Sequence, residues 1–183
     1  MKDYLYQKID SPELYFVQSY HTLKDSLTLH PRQIRQIPTR LLQTFMSLAP
    51  PKCENPEPTV VLLTPGPMNS AYYEHSFLSD QMGIEMVQAE DLFVDGEFLY
   101  MKTVSGPKRV DIVYRRIDDN FLDPLSFNPE SLIGIPGIMS VYRTGGVTIL
   151  SAPGSGIADD KAIYVYVPEM IRFYLSQEPI LDN

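Results

Sequence analysis

"TVVLLTPGPMNSAYYEHSFLSDQMGIEMVQ", residues 59–88, decides the fold. Thr59 to Thr64 are β-branched and apolar without alternation, the pattern of a strand buried on both faces. "PGPMNS" is turn chemistry. "AYYEHSFLSDQMG" predicts a helix, with Tyr73, Phe77, Leu78 and Met82 on one face and Gly83 as its C-terminal stop. "IEMVQ" is a second strand. Strand, helix and strand over about thirty residues make a βαβ unit, with a right-handed crossover expected.

Working outward, "LFVDGEFLYMKTV" places Asp95-Gly96 between apolar runs, a two-residue hairpin signal. "RVDIVYRRI" predicts another strand and "VTIL" the last one. "PESLIGIPGIMSVYRTG" reads as helical pieces, broken at Gly134 and Pro136 and stopped at Gly145. In the closing segment Ile163, Val167, Met170, Ile171 and Tyr174 form a helical stripe, with Pro168 as a kink or restart. Upstream, "PPKCENPEP" reads as an extended linker, because proline fixes φ and cannot feed a sheet ladder. Before it, "RQIRQIPTRLLQTFMSLA" predicts a helix whose Leu41, Phe45 and Leu48 form an apolar stripe needing a partner surface. Residues 1–30 carry Tyr4, Tyr6, Tyr15 and Tyr20 without a clean period, and read as helix or irregular chain. Together these elements predict an α/β sheet layer of the doubly wound kind with a hairpin attached.

The 183 residues suffice for one domain plus a smaller element. A formal net charge of −8 argues against sequence-independent binding to DNA or RNA, which needs a basic face. The single cysteine, Cys53, allows no intrachain disulfide and no cysteine-rich metal site. The three histidines, His21, His30 and His75, are scattered, and no metal site is read from them. No apolar run approaches the ~20 residues of a membrane span. "MKDYLYQKID" is too polar for a signal peptide, so the expected location is cytoplasmic.

Ligands of open α/β sheets bind beyond the carboxyl ends of the strands. Three loops fall there. The first offers Asn69, Ser70 and Tyr73 with the free N–H groups of a helix start, either an anion site or a simple cap; His75 lies inside that helix. The second carries Arg115 and Arg116, then Asp118 and Asp119. The arginines could fork onto a carboxylate or phosphate, or pair with the aspartates in a network that binds nothing. The third, "SAPGSGIADDK", begins a G-x-G with Gly154 and Gly156, but Asp159 stands where a dinucleotide fingerprint needs its third glycine. Asp159 or Asp160 is expected to cap the following helix, which leaves Lys161 in its first turn against the helix dipole and in want of an anion.

"VVLLTPGPMNSAYYEHSFLSDQMGIEMV", "DIVYRRIDDNFLDPLSF" and "APGSGIADDKAIYVYVPEMIRFYLSQEPIL", in this order, resemble the circularly permuted ATP-grasp family of type 2, the glutathionylspermidine synthase-like group, over residues 59–181. The resemblance implies a ligase that activates a carboxylate with ATP and Mg2+ as an acyl phosphate and joins it to an amine. It implies a pre-ATP-grasp, Rossmann-like α/β domain at 59–157, after a mostly helical segment at 1–49 and the linker at 50–58. Residues 158–183 would then lead towards an ATP-binding half, with Asp160-Lys161 matching the pair that opens that helix and Gly154, Gly156 and Lys161 nearest the nucleotide. Asn69, Ser70, Tyr73, His75, Arg115, Arg116, Asp118 and Asp119 would face a small carboxylate or amine substrate. No catalytic residue is assigned. The family's Leu-Glu-Asp-Asn-like magnesium segment has no counterpart in residues 1–58, and the chain stops at "EPILDN". The expectation is therefore the middle of a larger ligase, inactive and without tightly bound ATP or magnesium by itself, whose partners are the missing halves or a second copy. Two alternatives stand beside it. One is a non-catalytic interaction module docking through the Leu41, Phe45, Leu48 stripe. The other is a metal-dependent glycosyltransferase-like enzyme using Asp118 and Asp119.

Overall fold

The computed structural model describes residues 36–180, apart from the side chains of Ile157 and Asp159. The tyrosine-rich stretch, His21 and His30 lie outside the described residues. The chain divides into two compact units: Gln36–Pro153, and a second that includes the described residues from Gly154 onward.

The first unit is built on a parallel sheet. Helix α1 (Ile37–Met46) leads through the proline-rich segment to β1 (Val60–Leu63). Helix α2 (Tyr72–Met82) returns the chain to β2 (Glu85–Val87). Strands β3 (Leu92–Asp95), β4 (Phe98–Met101) and β5 (Lys108–Val110) form a separate antiparallel sheet. Strand β6 (Ile112–Arg115), the short helix α3 (Asp119–Leu122), helix α4 (Ile138–Arg143) and β7 (Thr148–Leu150) complete the unit. The parallel sheet runs β2-β1-β6-β7. β1 pairs in parallel with β2 on one side and with β6 on the other; β7 adds outside β6.

Strand alternation gives the sheet two buried faces. Val61, Leu63, Val113 and Ile149 pack against Leu99, Met101 and Val110 of the small sheet and Ile138 and Val141 of α4. Val60, Leu62, Ile112 and Leu150 pack against Phe45 of α1 and Leu78 and Met82 of α2. The apolar stripe of α1 thus has its partner surface: Phe45 is buried, and Leu41 and Leu48 are partly buried on the sheet. The stripe that the interaction-module reading left for docking is covered within the unit.

The segment expected to be a linker is tied down. Lys52 donates its N–H to the Gly145 carbonyl at 3.1 Å and pairs through Nζ with Glu97 at 2.8 Å. Arg109 Nη2 donates to the Lys52 carbonyl at 2.8 Å. The compact unit Gln36–Pro153 includes this proline-rich segment.

Four readings are corrected by tertiary packing. "RVDIVYRRI" is two strands, because buried Asp111 interrupts it. Its Oδ2 accepts from the Thr59 N–H at 2.9 Å and its Oδ1 pairs with Arg109 Nε at 3.0 Å, where the chain passes from one sheet to the other. The hairpin turn lies one residue later than expected. Asp95 pairs with Phe98, so Gly96 (φ 58°) and Glu97 are the turn residues, with glycine first as a type II′ turn requires. In α2 the inward residues are His75, Ser79 and Met82, while Tyr73 and Phe77 are exposed. Polar partners turned the helix: Ser79 Oγ donates to the Ile84 carbonyl at 2.6 Å, and His75 meets Thr64. Between residues 124 and 137 there are turns, not helix. Gly134 passes so near Phe121 that a Cβ would lie 2.2 Å from its carbonyl oxygen.

In the second unit, 3₁₀ turns at Ser155–Asp159 and Lys161–Tyr166 precede helix α5 (Val167–Met170), with Pro168 in its first turn, and a π turn at Ile171–Leu175. Pro168 restarts the helix, and the stripe is only partly kept: Ile171 is buried, Tyr174 exposed.

Candidate functional site at the strand-order switch

The sheet order places β2 and β7 on opposite sides of the β1–β6 pair. Connection β1–α2–β2 covers one face, and β6–α4–β7 covers the other. The order therefore reverses between β1 and β6, and a crevice at their carboxyl ends is where doubly wound sheets hold ligands. The first two predicted loops meet there. The Arg116 N–H donates to the Leu63 carbonyl at 2.8 Å, stitching them together.

The two arginines take different roles because adjacent strand residues face opposite ways. Arg115 points to the side of Val113 and is buried. Its Nε donates to the Ser151 carbonyl at 2.7 Å, Nη1 to the Ile117 carbonyl at 2.7 Å and Nη2 to the Ala152 carbonyl at 3.2 Å. Nη2 also pairs with Asp119 Oδ1 at 2.5 Å. This guanidinium is a clasp joining the ends of β6 and β7, with the partner that the ion-network alternative named. Arg116 lies on the other side. Nη2 pairs with Glu74 Oε1 of α2 at 2.5 Å, and Nη1 donates to the Tyr114 hydroxyl at 3.2 Å. Its Cζ stands 5.8 Å from the centre of the Tyr114 ring, and that ring packs on Phe45 at 4.9 Å.

His75 is 1% exposed and its Nδ1 lies 2.9 Å from Thr64 Oγ1, at the end of β1. Thr64 Oγ1 also accepts from the Gly66 N–H at 3.3 Å, so its hydroxyl is placed to donate to an unprotonated Nδ1. Burial lowers the His75 pKa first, and the nearby Arg116 charge lowers it further, against a smaller opposite push from Glu74. His75 is a neutral anchor for α2. Asn69 Oδ1 accepts from the Ala71 N–H at 2.9 Å; Asn69, Ser70 and Tyr73 are all exposed. Asp118 is exposed and Asp119 half-buried beside Arg115. The predicted set thus divides. Asn69, Ser70, Tyr73 and Asp118 are exposed and Arg116 is half-buried in its pair with Glu74, while His75 and Arg115 are buried and Asp119 is half-buried. The aspartate pair of the glycosyltransferase-like reading is split between these settings.

Sequence reasoning missed Thr64, Glu74 and Asp123. Asp123 is fully buried and receives four hydrogen bonds. Oδ1 accepts from the N–H groups of Leu125 (2.9 Å) and Gly137 (3.0 Å). Oδ2 accepts from Met139 N–H (3.0 Å) and Ser126 Oγ (3.2 Å). Burial pushes its pKa up, but these bonds together outweigh burial and hold the carboxyl below the ordinary aspartate value. It ties the loop after β6 to the start of α4. Its bonds to Leu125 and Ser126 are ordinary turn chemistry, and the two that tie it to α4 come from residues 14 and 16 positions away, which no local pattern announces.

In the second unit, Asp160 caps its turn by accepting from the Ala162 N–H at 2.9 Å, and Lys161 is exposed.

This architecture is that of a doubly wound α/β protein with an arginine, Arg116, at its switch point. The model of the circularly permuted ATP-grasp type 2 family matches residues 18–183, and the chain belongs to that family. An uncharacterized protein of Synechocystis is 54% identical over 156 residues, 85% of this chain and 32% of the relative. One from Mycobacterium tuberculosis is 52% identical over 127 residues, 69% of this chain and 23% of the relative. A protein of Frankia alni bearing the name "Putative glutamate--cysteine ligase 2-3" is 39% identical over 147 residues, 80% of this chain and 17% of the relative. The chain therefore spans about a third or less of the length of these curated relatives.

The family generally uses ATP and magnesium. Among the described residues no group of three or more His, Cys, Asp or Glu side chains could hold a metal ion. The described residues thus offer no such cluster for magnesium. Among them no helix is long and apolar enough to cross a membrane.

Proposed function

We propose that this chain supplies the substrate-binding pre-ATP-grasp part of an ATP-dependent carboxylate–amine ligase, with nucleotide and magnesium held by parts beyond the described residues. The observation that carries it is Arg116: a guanidinium at the switch point of a doubly wound sheet, in a chain of an ATP-grasp family. A guanidinium fork suits a carboxylate. Asn69, Ser70 and Tyr73 are exposed hydrogen-bonding groups, while Arg115, Asp119 and His75 fix the adjoining loops. Residues 158–183, opening at Asp160-Lys161, lead towards the nucleotide-binding half, and the protein works in the cytoplasm. The name of the Frankia relative favours glutamate as the carboxylate and cysteine as the amine over the pair used by a glutathionylspermidine synthase.

The reading predicts that the purified chain, given ATP, magnesium, glutamate and cysteine, releases no ADP above background. Robust magnesium-dependent ADP release that disappears in Lys161→Ala would overturn it.

A further inference from the structure

Resting on that reading, the geometry around Arg116 assigns a role to a residue outside the predicted set. Two of the five guanidinium N–H donors are used, by Glu74 and by the Tyr114 hydroxyl; the other three have no partner among the described residues. The two partners differ in kind. Tyr114 is anchored in the core through Phe45, so it keeps the guanidinium in place. Glu74 sits in the first turn of α2 with its side chain 55% exposed, against 29% for Arg116. An ion pair this open to water is weak, and its carboxylate can swing into solvent.

We propose that Glu74 is a displaceable internal anion. It occupies the Arg116 fork until the carboxylate of a small-molecule substrate takes its place, and it selects a singly charged carboxylate over a dianionic phosphate. Displacement exposes the Glu74 carboxylate to water at little cost, while Tyr114 prevents Arg116 from following it. Because Glu74 remains on the adjacent helical turn, its charge opposes the incoming ligand, and opposes two charges more than one.

The test is calorimetric titration of the 183-residue chain with L-glutamate and, separately, inorganic phosphate at pH 8, for wild type, Glu74→Gln and Arg116→Gln. Glu74→Gln should tighten glutamate binding about two- to fivefold, the scale of an exposed charge pair, and tighten phosphate binding by more. Arg116→Gln should abolish glutamate binding. If Glu74→Gln leaves glutamate affinity unchanged or weaker while Arg116→Gln abolishes it, the role of Glu74 falls and the proposed function stands. If Arg116→Gln binds glutamate as wild type does, or neither wild type nor Glu74→Gln binds it at tens of millimolar, both fall. Melting curves of all three proteins confirm that each is folded.

Discussion

Asp123→Asn replaces one oxygen of a buried, fourfold hydrogen-bonded carboxylate by an amide of nearly the same shape. One amide orientation keeps the oxygen for Leu125 and Gly137 and turns its NH2 group on the Met139 N–H and Ser126. Ser126 can rotate its hydroxyl to accept, but the Met139 N–H cannot. The reverse orientation strands two backbone N–H groups. Leaving one buried donor unmatched costs about 1–3 kcal/mol, and the surviving bonds lose their charge assistance, about 1 kcal/mol more each. Removing a buried charge returns part of this, but the depressed pKa states that the hydrogen bonds outweigh that desolvation. The expected net loss is about 3 kcal/mol, a large share of a typical domain's 5–15 kcal/mol. Urea unfolding followed by circular dichroism measures it at pH 7. The pH dependence supplies a second arm. A carboxyl with a depressed folded pKa stabilises above its unfolded pKa and loses that contribution as pH falls through the folded value. The gap between wild type and Asp123→Asn should therefore narrow below about pH 4. A variant within about 0.5 kcal/mol of wild type at pH 7, the range of a neutral surface change, would refute the reasoning.

Arg115→Met strips three loop carbonyls and Asp119 of their donor and should cost about 3–5 kcal/mol, as breaking a buried charge pair does, read by the same unfolding. His75 has a folded pKa below its unfolded value, so the unfolded chain binds the extra proton. Stability should fall as pH drops below about 6.5, by at most about 1.4 kcal/mol per pH unit, and His75→Gln should flatten that slope. Phe45→Ala should cost about 3–5 kcal/mol in one cooperative transition, because α1 belongs to the core of the sheet; a separate early melting of α1 would contradict this. Gly134→Ala should cost about 2 kcal/mol or more, since its methyl meets the fixed Phe121 carbonyl.

Sequence reasoning recovered what short-range patterns encode. The unbroken apolar run of β1 and the Gly83 stop of α2 each act within a few residues, and the βαβ unit followed from them. The split at Asp111 escaped it because that carboxylate answers to Thr59, 52 positions earlier. The inward face of α2 was misread because hydrogen bonds to Thr64 and Ile84 buried His75 and Ser79 in place of Tyr73 and Phe77. At the site, the rule that ligands sit at strand ends brought the first two loops to the switch point. The division of labour between Arg115 and Arg116 was legible in principle. Strand alternation separates neighbours, and Arg115 shares its side with Val113. Which acid each arginine would meet was not legible, since Glu74 arrives from a different element, 42 positions away.

The most direct test of the substrate-binding reading is a residue-by-residue amide chemical-shift titration of the isotopically labelled chain with L-glutamate. The account predicts saturable shifts concentrated at Gly66 to Glu74 and Arg116 to Asp119, absent in Arg116→Gln. Shifts that never appear, or that gather at the opposite end of the sheet around Thr59 and Asp111, would contradict it.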